Sequence, residues 1–224
     1  FEKYNEELKS QVSLLNLELS AEELYSELAL ESILSIANKD ELIEKSRHAF
    51  DKTKAILKDH DTYTLRMSMY RTGLMYFLNS NEYKQGIDLA TDCEKYLHKN
   101  EHLIQKVRLG EMSLNKLYCS LHLRNYLIGS EYAATCMTLF NPGTLNWLIF
   151  LEYYFLLSLH TKNYSKAAEI YGQVINHSSF NSYPPQSKEK WKIFESFLMY
   201  ALPEKEKMNR KFNVAKFINE VPLY

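Results

Sequence analysis

Apolar side chains recur along this chain at helical spacing, in stretches of helical length parted by short polar breaks. The breaks are Asn38-Lys-Asp40, Asn79-Ser-Asn81, Arg124-Asn125 and Asn141-Pro-Gly143, and such residues stop one helix and start the next. Between them the pattern predicts helices over Glu2–Leu17, Glu41–Lys58, Thr62–Leu78, Glu82–His98, Glu101–Leu123, Tyr126–Phe140, Leu145–His160 and Tyr164–Ile175. Ser20-Ala-Glu-Glu23 reads as a capping box that opens a further helix reaching about Ala37. After an irregular stretch over Asn176–Gln186, helices follow over Lys188–Ala201 and Phe212–Glu220. The predicted class is all-α.

Four segments echo one another at Ile43–Thr53, Tyr83–Cys93, Tyr126–Cys136 and Tyr164–Val174. A large residue leads (Ile43, Tyr83, Tyr126, Tyr164), and a small one follows three positions later (Ser46, Gly86, Gly129, Ala167). Position plus seven holds Phe50, Ala90, Ala133 and Tyr171, and plus ten a compact residue: Thr53, Cys93, Cys136 and Val174. The copies start 40, 43 and 38 residues apart, a period that belongs to helical arrays. Each echo sits at or near the start of the second helix of a pair, where a small residue allows close helix approach.

This pattern resembles the tetratricopeptide repeat family, in which a bulky residue closes the inter-helix turn. Small, aromatic and small residues follow it at plus three, seven and ten. Asn81-Glu-Tyr83, Asn125-Tyr126 and Asn163-Tyr164 look like the family's turn, although the spacing exceeds the family's roughly 34 residues. Gly73 matches the family's first-helix glycine only loosely. The resemblance implies an α-solenoid of antiparallel helix pairs in a right-handed superhelix, one domain over 1–224. Its clearest repeats fall at about 20–60, 62–100, 101–141 and 142–180, with C-terminal helices in 187–224.

Composition agrees with helices, since 17 Tyr and 11 Phe stand against only 6 Gly and 5 Pro. Net charge is −1, so no overall field draws nucleic acid, and none is expected as a partner. Charge is uneven, with thirteen acids against eight bases in 1–60 and five against eight in 181–224. Lys205, Lys207, Arg210 and Lys211 cluster, but Glu204 and Glu206 interrupt them. No apolar run reaches the roughly 18 residues of a membrane span, and Trp147–Leu159, broken by Glu152, reads as a buried helix. Cys93, Cys119 and Cys136 lack ligand spacing and read as buried reduced thiols, which points to a reducing cytoplasm. The chain opens on Phe1 rather than Met and its last residues stop mid-stride, so it is expected to be part of a longer one.

Catalytic chemistry finds no foothold in the sequence. Its glycines stand apart, so no phosphate-cradling loop forms, and no metal motif or nucleophile elbow is present. His98 and His102 are four apart, yet Lys99-Asn100 breaks the helix between them, and solvated loop histidines are expected. We therefore expect no enzyme, cofactor or metal. In the resembled family the first helices line a concave groove, which places Met75, Asn79, Tyr118, His122, Leu156 and His160 on the candidate partner-binding wall. The family's carboxylate clamp is not matched. Glu31, Arg71, Leu114 and Glu152 fall where its first Lys stands, and Ser35, Met75, Tyr118 and Leu156 where it needs Asn, with Asn115 alone matching a remaining site. The expected function is a scaffold that binds a protein or peptide. The alternative is the ligand- or peptide-responsive sensor domain of a bacterial-type regulator whose DNA-binding or signalling part lies outside this chain. The partner and the oligomeric state are left open.

Overall fold

A computed structural model describes residues 2–34, 38–100 and 106–201. The predicted helix over Phe212–Glu220, the basic cluster at Lys205–Lys211, Ser35 and His102 lie outside those residues. All regular structure among the described residues is helical: α1 Glu2–Leu34, α2 Lys39–Ile56, α3 Tyr63–Asn79, α4 Tyr83–Lys99, α5 Lys106–His122, α6 Tyr126–Leu139, α7 Leu145–His160, α8 Tyr164–Ile175 and α9 Pro185–Ala201. A 3₁₀ turn at Phe180–Ser182 lies within the predicted irregular stretch. None of these helices is long and apolar enough to cross a membrane. The chain forms two compact units, Phe1–Leu123 and Arg124–Tyr224.

One sequence expectation fails at the start. Glu2–Leu17 and the helix after Ser20 are a single helix, and Ser20 caps nothing. Nothing there forces a break, because Ser-Ala-Glu-Glu contains neither Gly nor Pro and the apolar stripe Leu17, Ala21, Leu24, Leu28 runs straight through it. The caps elsewhere are explicit. Asn38 accepts a hydrogen bond from the Glu41 N–H at 2.9 Å, and Thr62 from that of Leu65 at 3.3 Å. Thr144 accepts from the Trp147 N–H at 3.3 Å, and Asn163 from that of Lys166 at 3.2 Å.

In the first unit α1 packs on α2 and α3, then α2 on α3, α3 on α4 and α4 on α5. Leu28, Leu42 and Ala49 form a small core with Leu24 and Met75 against it. The larger core joins Met67, Met69, Tyr70 and Leu74 of α3 to Ala90, Cys93 and Leu97 of α4 and Met112 of α5. Some buried polar groups are matched, since Thr53 and Thr72 hydroxyls lie 3.4 Å apart and buried Lys116 pairs with Glu94, whereas the Tyr63 and Ser120 hydroxyls are buried without a hydrogen bond.

In the second unit α6 packs on α7, α7 on α8 and α8 on α9. Helix α7 is apolar around most of its circumference and is the core helix, as the Trp147–Leu159 run predicts. Phe155 stacks on Phe194 at 4.7 Å and meets Trp191 edge-on at 5.8 Å. The one acid within α7, Glu152, is buried, and its carboxylate accepts a 2.6 Å hydrogen bond from Lys190. Burial pushes its pKa up, and the lysine opposes that shift.

The echo has a common structural meaning. Ser46, Gly86, Gly129 and Ala167 are all buried, as are Thr53, Cys93, Cys136 and Val174. The tightest approach differs from the one expected. A Cβ on Gly86 would stand 3.1 Å from Cys119 Sγ on α5 and 3.8 Å from Phe77 Cβ on α3, so the close neighbour is the next pair's first helix. Gly73 is more confined still, because a Cβ there would lie 2.6 Å from both Leu89 Cδ2 and Phe50 Cε2. Gly73→Ala should therefore lower stability by about 1–3 kcal/mol through overpacking. Gly172→Ala, whose Cβ would meet only Asn176 Nδ2 at 4.0 Å, should gain up to about 1 kcal/mol of helix propensity. Denaturant melts of the two variants check this, and equal effects would contradict the packing at Gly73.

Candidate functional site

Three turns between helices share one backbone device. Asn81, Arg124 and Lys162 adopt left-handed φ values of 63°, 57° and 58°, and each stands two residues before an echo tyrosine, Tyr83, Tyr126 or Tyr164. At two of them the hydrogen bonds form a Schellman closure. Glu82 N–H donates to Phe77 C=O and Asn163 N–H to Ser158 C=O, both at 2.8 Å. Asn79, His122 and His160 consequently take the same place, the last residue of α3, α5 and α7. Asparagine tolerates the left-handed region well, whereas Arg124 and Lys162 carry a conformational cost.

This geometry brings His122 and His160 onto echo tyrosines. In the first unit His122, at the end of α5, stacks on Tyr83, at the start of α4, with ring centres 4.6 Å apart and planes 15° apart. Tyr118 completes a three-ring cluster, 4.4 Å from His122 and 6.1 Å edge-on from Tyr83. In the second unit His160, at the end of α7, stacks on Tyr126, at the start of α6, at 4.9 Å and 8°. Packing of a first helix against the preceding second helix thus repeats one tyrosine–histidine contact. The sequence reading names both histidines and Tyr118 but assigns Tyr83 and Tyr126 only to the turns. The available signal was that a tyrosine opens a second helix where a histidine closes the next first helix.

The other wall residues are placed separately. Met75 is half-buried against the Leu28, Leu42 and Ala49 core, and Asn79 is half-buried at the end of α3. Leu156 is half-buried on α7, one turn before His160. His98 is exposed in the last turn of α4, which extends through Lys99 rather than stopping at His98.

Chemically the described residues are quiet. Cys93, Cys119 and Cys136 are buried, and burial pushes the thiols of Cys93 and Cys119 up to about 12, far from nucleophilic use at neutral pH. No group of three or more His, Cys, Asp or Glu among the described residues is arranged to hold a metal. Two clefts lie away from the ring clusters. One, of about 470 Å³, runs between α1 and α2 over Leu24, Leu28 and Ala49 with Glu27, Glu31, Glu44, Lys45 and His48 at its rim. The other, of about 560 Å³, lies between α8 and the start of α9, beside Tyr171, Phe180, Pro185 and Trp191.

Compared with protein-family models, curated proteins and solved structures, the chain matches none.

Partial burial lowers the pKa of His122 below its ordinary 6.5. The unfolded chain then takes up the proton more readily than the folded one. The stability that neutral His122 supports is therefore complete above about pH 6.5 and is lost as pH falls through the lower folded value. An NMR titration of the His122 ring should give a midpoint below 6.5 that rises toward 6.5 in Tyr83→Ser. A midpoint at or above 6.5 in the native chain would contradict the stacked, partly desolvated ring.

Proposed function

We propose that this chain is a protein- or peptide-binding module built from helical repeats that resemble the tetratricopeptide family. The observation that carries the reading is repetition at three levels. The same small positions are buried in four helices, a left-handed residue recurs at the same place in three turns, and the same tyrosine–histidine stack recurs in two places. Repeated units of this kind present extended surfaces for partners rather than one enclosed reaction chamber. The buried thiols of Cys93 and Cys119 suit a reducing compartment such as the cytoplasm.

Within that reading the Tyr83–Tyr118–His122 cluster is the strongest anchor of the first unit. Tyrosine offers large, rigid contact area with a hydroxyl at small entropic cost, and histidine adds a donor or acceptor at the rim. Tyr118 is half-buried, and burial raises its pKa, so its phenol stays neutral and can both donate and accept a hydrogen bond.

Tyr118→Ala should weaken partner binding by at least about 1 kcal/mol, the scale that separates anchors from bystanders. The test compares the proteins captured from a native lysate by wild type and by Tyr118→Ala, each with an intact helical spectrum. Loss of specific partners is expected, whereas identical capture at the same salt would move the binding surface elsewhere.

A further inference from the structure

Helix α1 carries two apolar stripes, and only one of them is used within the first unit. Leu14, Leu17, Ala21, Leu24 and Leu28 are half-buried or buried and share the side that packs on α2 and α3. Glu18 and Glu22 accept hydrogen bonds from the Thr62 and Ser68 hydroxyls, and the Arg71 guanidinium lies over the Tyr25 ring. The second stripe, Leu8, Val12, Leu15 and Leu19, lies about half a turn away, on the opposite side of the helix, and keeps 48%, 52%, 54% and 53% of its surface in solvent. Residues 5–13 are exposed on every face of the helix. A helical segment this short holds only marginally in water without a packing partner.

The spacing of the second stripe is that of a heptad seam, in steps of four, three and four residues. Continued one step back it reaches Asn5, so the seam reads Asn5 and Val12 at a positions, Leu8 and Leu15 at d positions, and Leu19 at the next a. A β-branched residue at a, leucine at d and one polar asparagine at a favour a parallel two-stranded pair in fixed register. Charge leaves the middle of the seam neutral and sets one like-charge pair at its end, where Glu18, which accepts a hydrogen bond from Thr62 of its own chain, would face Glu23 of the second copy and weaken the pair. The residues flanking the seam between 5 and 19 are Lys9, Gln11, Asn16 and Glu18, and Gln11 would face Asn16 of the second copy without like-charge repulsion. Glu6 and Glu7 point away from the seam. Eight half-exposed aliphatic side chains amount to several hundred Å², short of the roughly 1,200 Å² where stable interfaces begin, so the pair should be weak and reversible.

We propose that two copies of this chain associate through the amino-terminal half of α1 as a short parallel coiled coil along Asn5, Leu8, Val12, Leu15 and Leu19. Sedimentation velocity on the 224-residue chain, over a concentration series through the micromolar range, reads the association directly. Weight-average mass should rise from monomer toward dimer with concentration. The double variant Leu8→Glu/Leu15→Glu should weaken association at least about tenfold, since it charges two anchors at once. Because these side chains are exposed, the variant should keep the helical spectrum and melting temperature of the body. Asn5→Val should strengthen association by relieving the polar layer. In Leu8→Cys the two new thiols would face each other and should oxidise to a linked dimer under conditions in which Glu6→Cys does not. A chain that stays monomeric throughout, or a dimer untouched by the double variant, would overturn the proposal. A dimer in which Leu8→Cys links no better than Glu6→Cys would overturn the parallel register.

Discussion

Close approach between helices at a few small residues is the constraint on which the packing depends. Gly86 admits Cys119 to within a distance that leaves no room for more than a Cβ, and Gly73 leaves room for nothing. Around these points the large side chains find their places. Phe50 and Leu89 converge over Gly73, and Met67 and Cys93 sulfurs lie 3.9 Å apart. Without a small residue at each such point the helices would stand further apart and the sulfur and aromatic contacts would open into voids, which cores tolerate poorly.

The turns follow from the same demand. A second helix must fold back tightly on the first, and a left-handed residue two positions before the tyrosine does this by closing the first helix with a Schellman pattern at Asn81 and Lys162. That closure fixes where the first helix ends. It also places Asn79 and His160 at the last helical position, the place His122 takes at the end of α5, and from there His122 and His160 reach back to Tyr83 and Tyr126. The candidate binding surface is therefore a by-product of packing geometry: aromatic rings displayed at helix ends because the turns put them there. Helix α1 shows what happens at the edge of this packing, since its residues 5–13 are exposed and it carries a second apolar seam in solvent.

Much of the helix layout was legible. Leu145–His160 and Tyr164–Ile175 match α7 and α8 to the residue, because Asn141-Pro-Gly143 and Asn163 are unambiguous punctuation. The burial of all four small positions and all four plus-ten positions was legible in the echo. Other features were not. The capping box at Ser20 misled because a serine–glutamate pair is equally at home inside a helix when the apolar stripe continues. The left-handed conformation of Arg124 and Lys162 had no residue-type signature, since neither is Gly or Asn. Met75 gave a groove register by analogy, yet its side chain packs on the Leu28–Leu42–Ala49 core, a long-range contact that no local pattern encodes.

The equivalence of the four small positions is tested most directly by placing one large residue at each in turn. Ser46→Leu, Gly86→Leu, Gly129→Leu and Ala167→Leu should each lower unfolding free energy by about 1–3 kcal/mol or more. The exposed substitutions Lys52→Leu and Glu131→Leu should change it by less than about 0.5 kcal/mol. Comparable losses at all four sites would establish a single repeated packing unit. Free tolerance of leucine at any of them, with an unchanged helical spectrum, would contradict it.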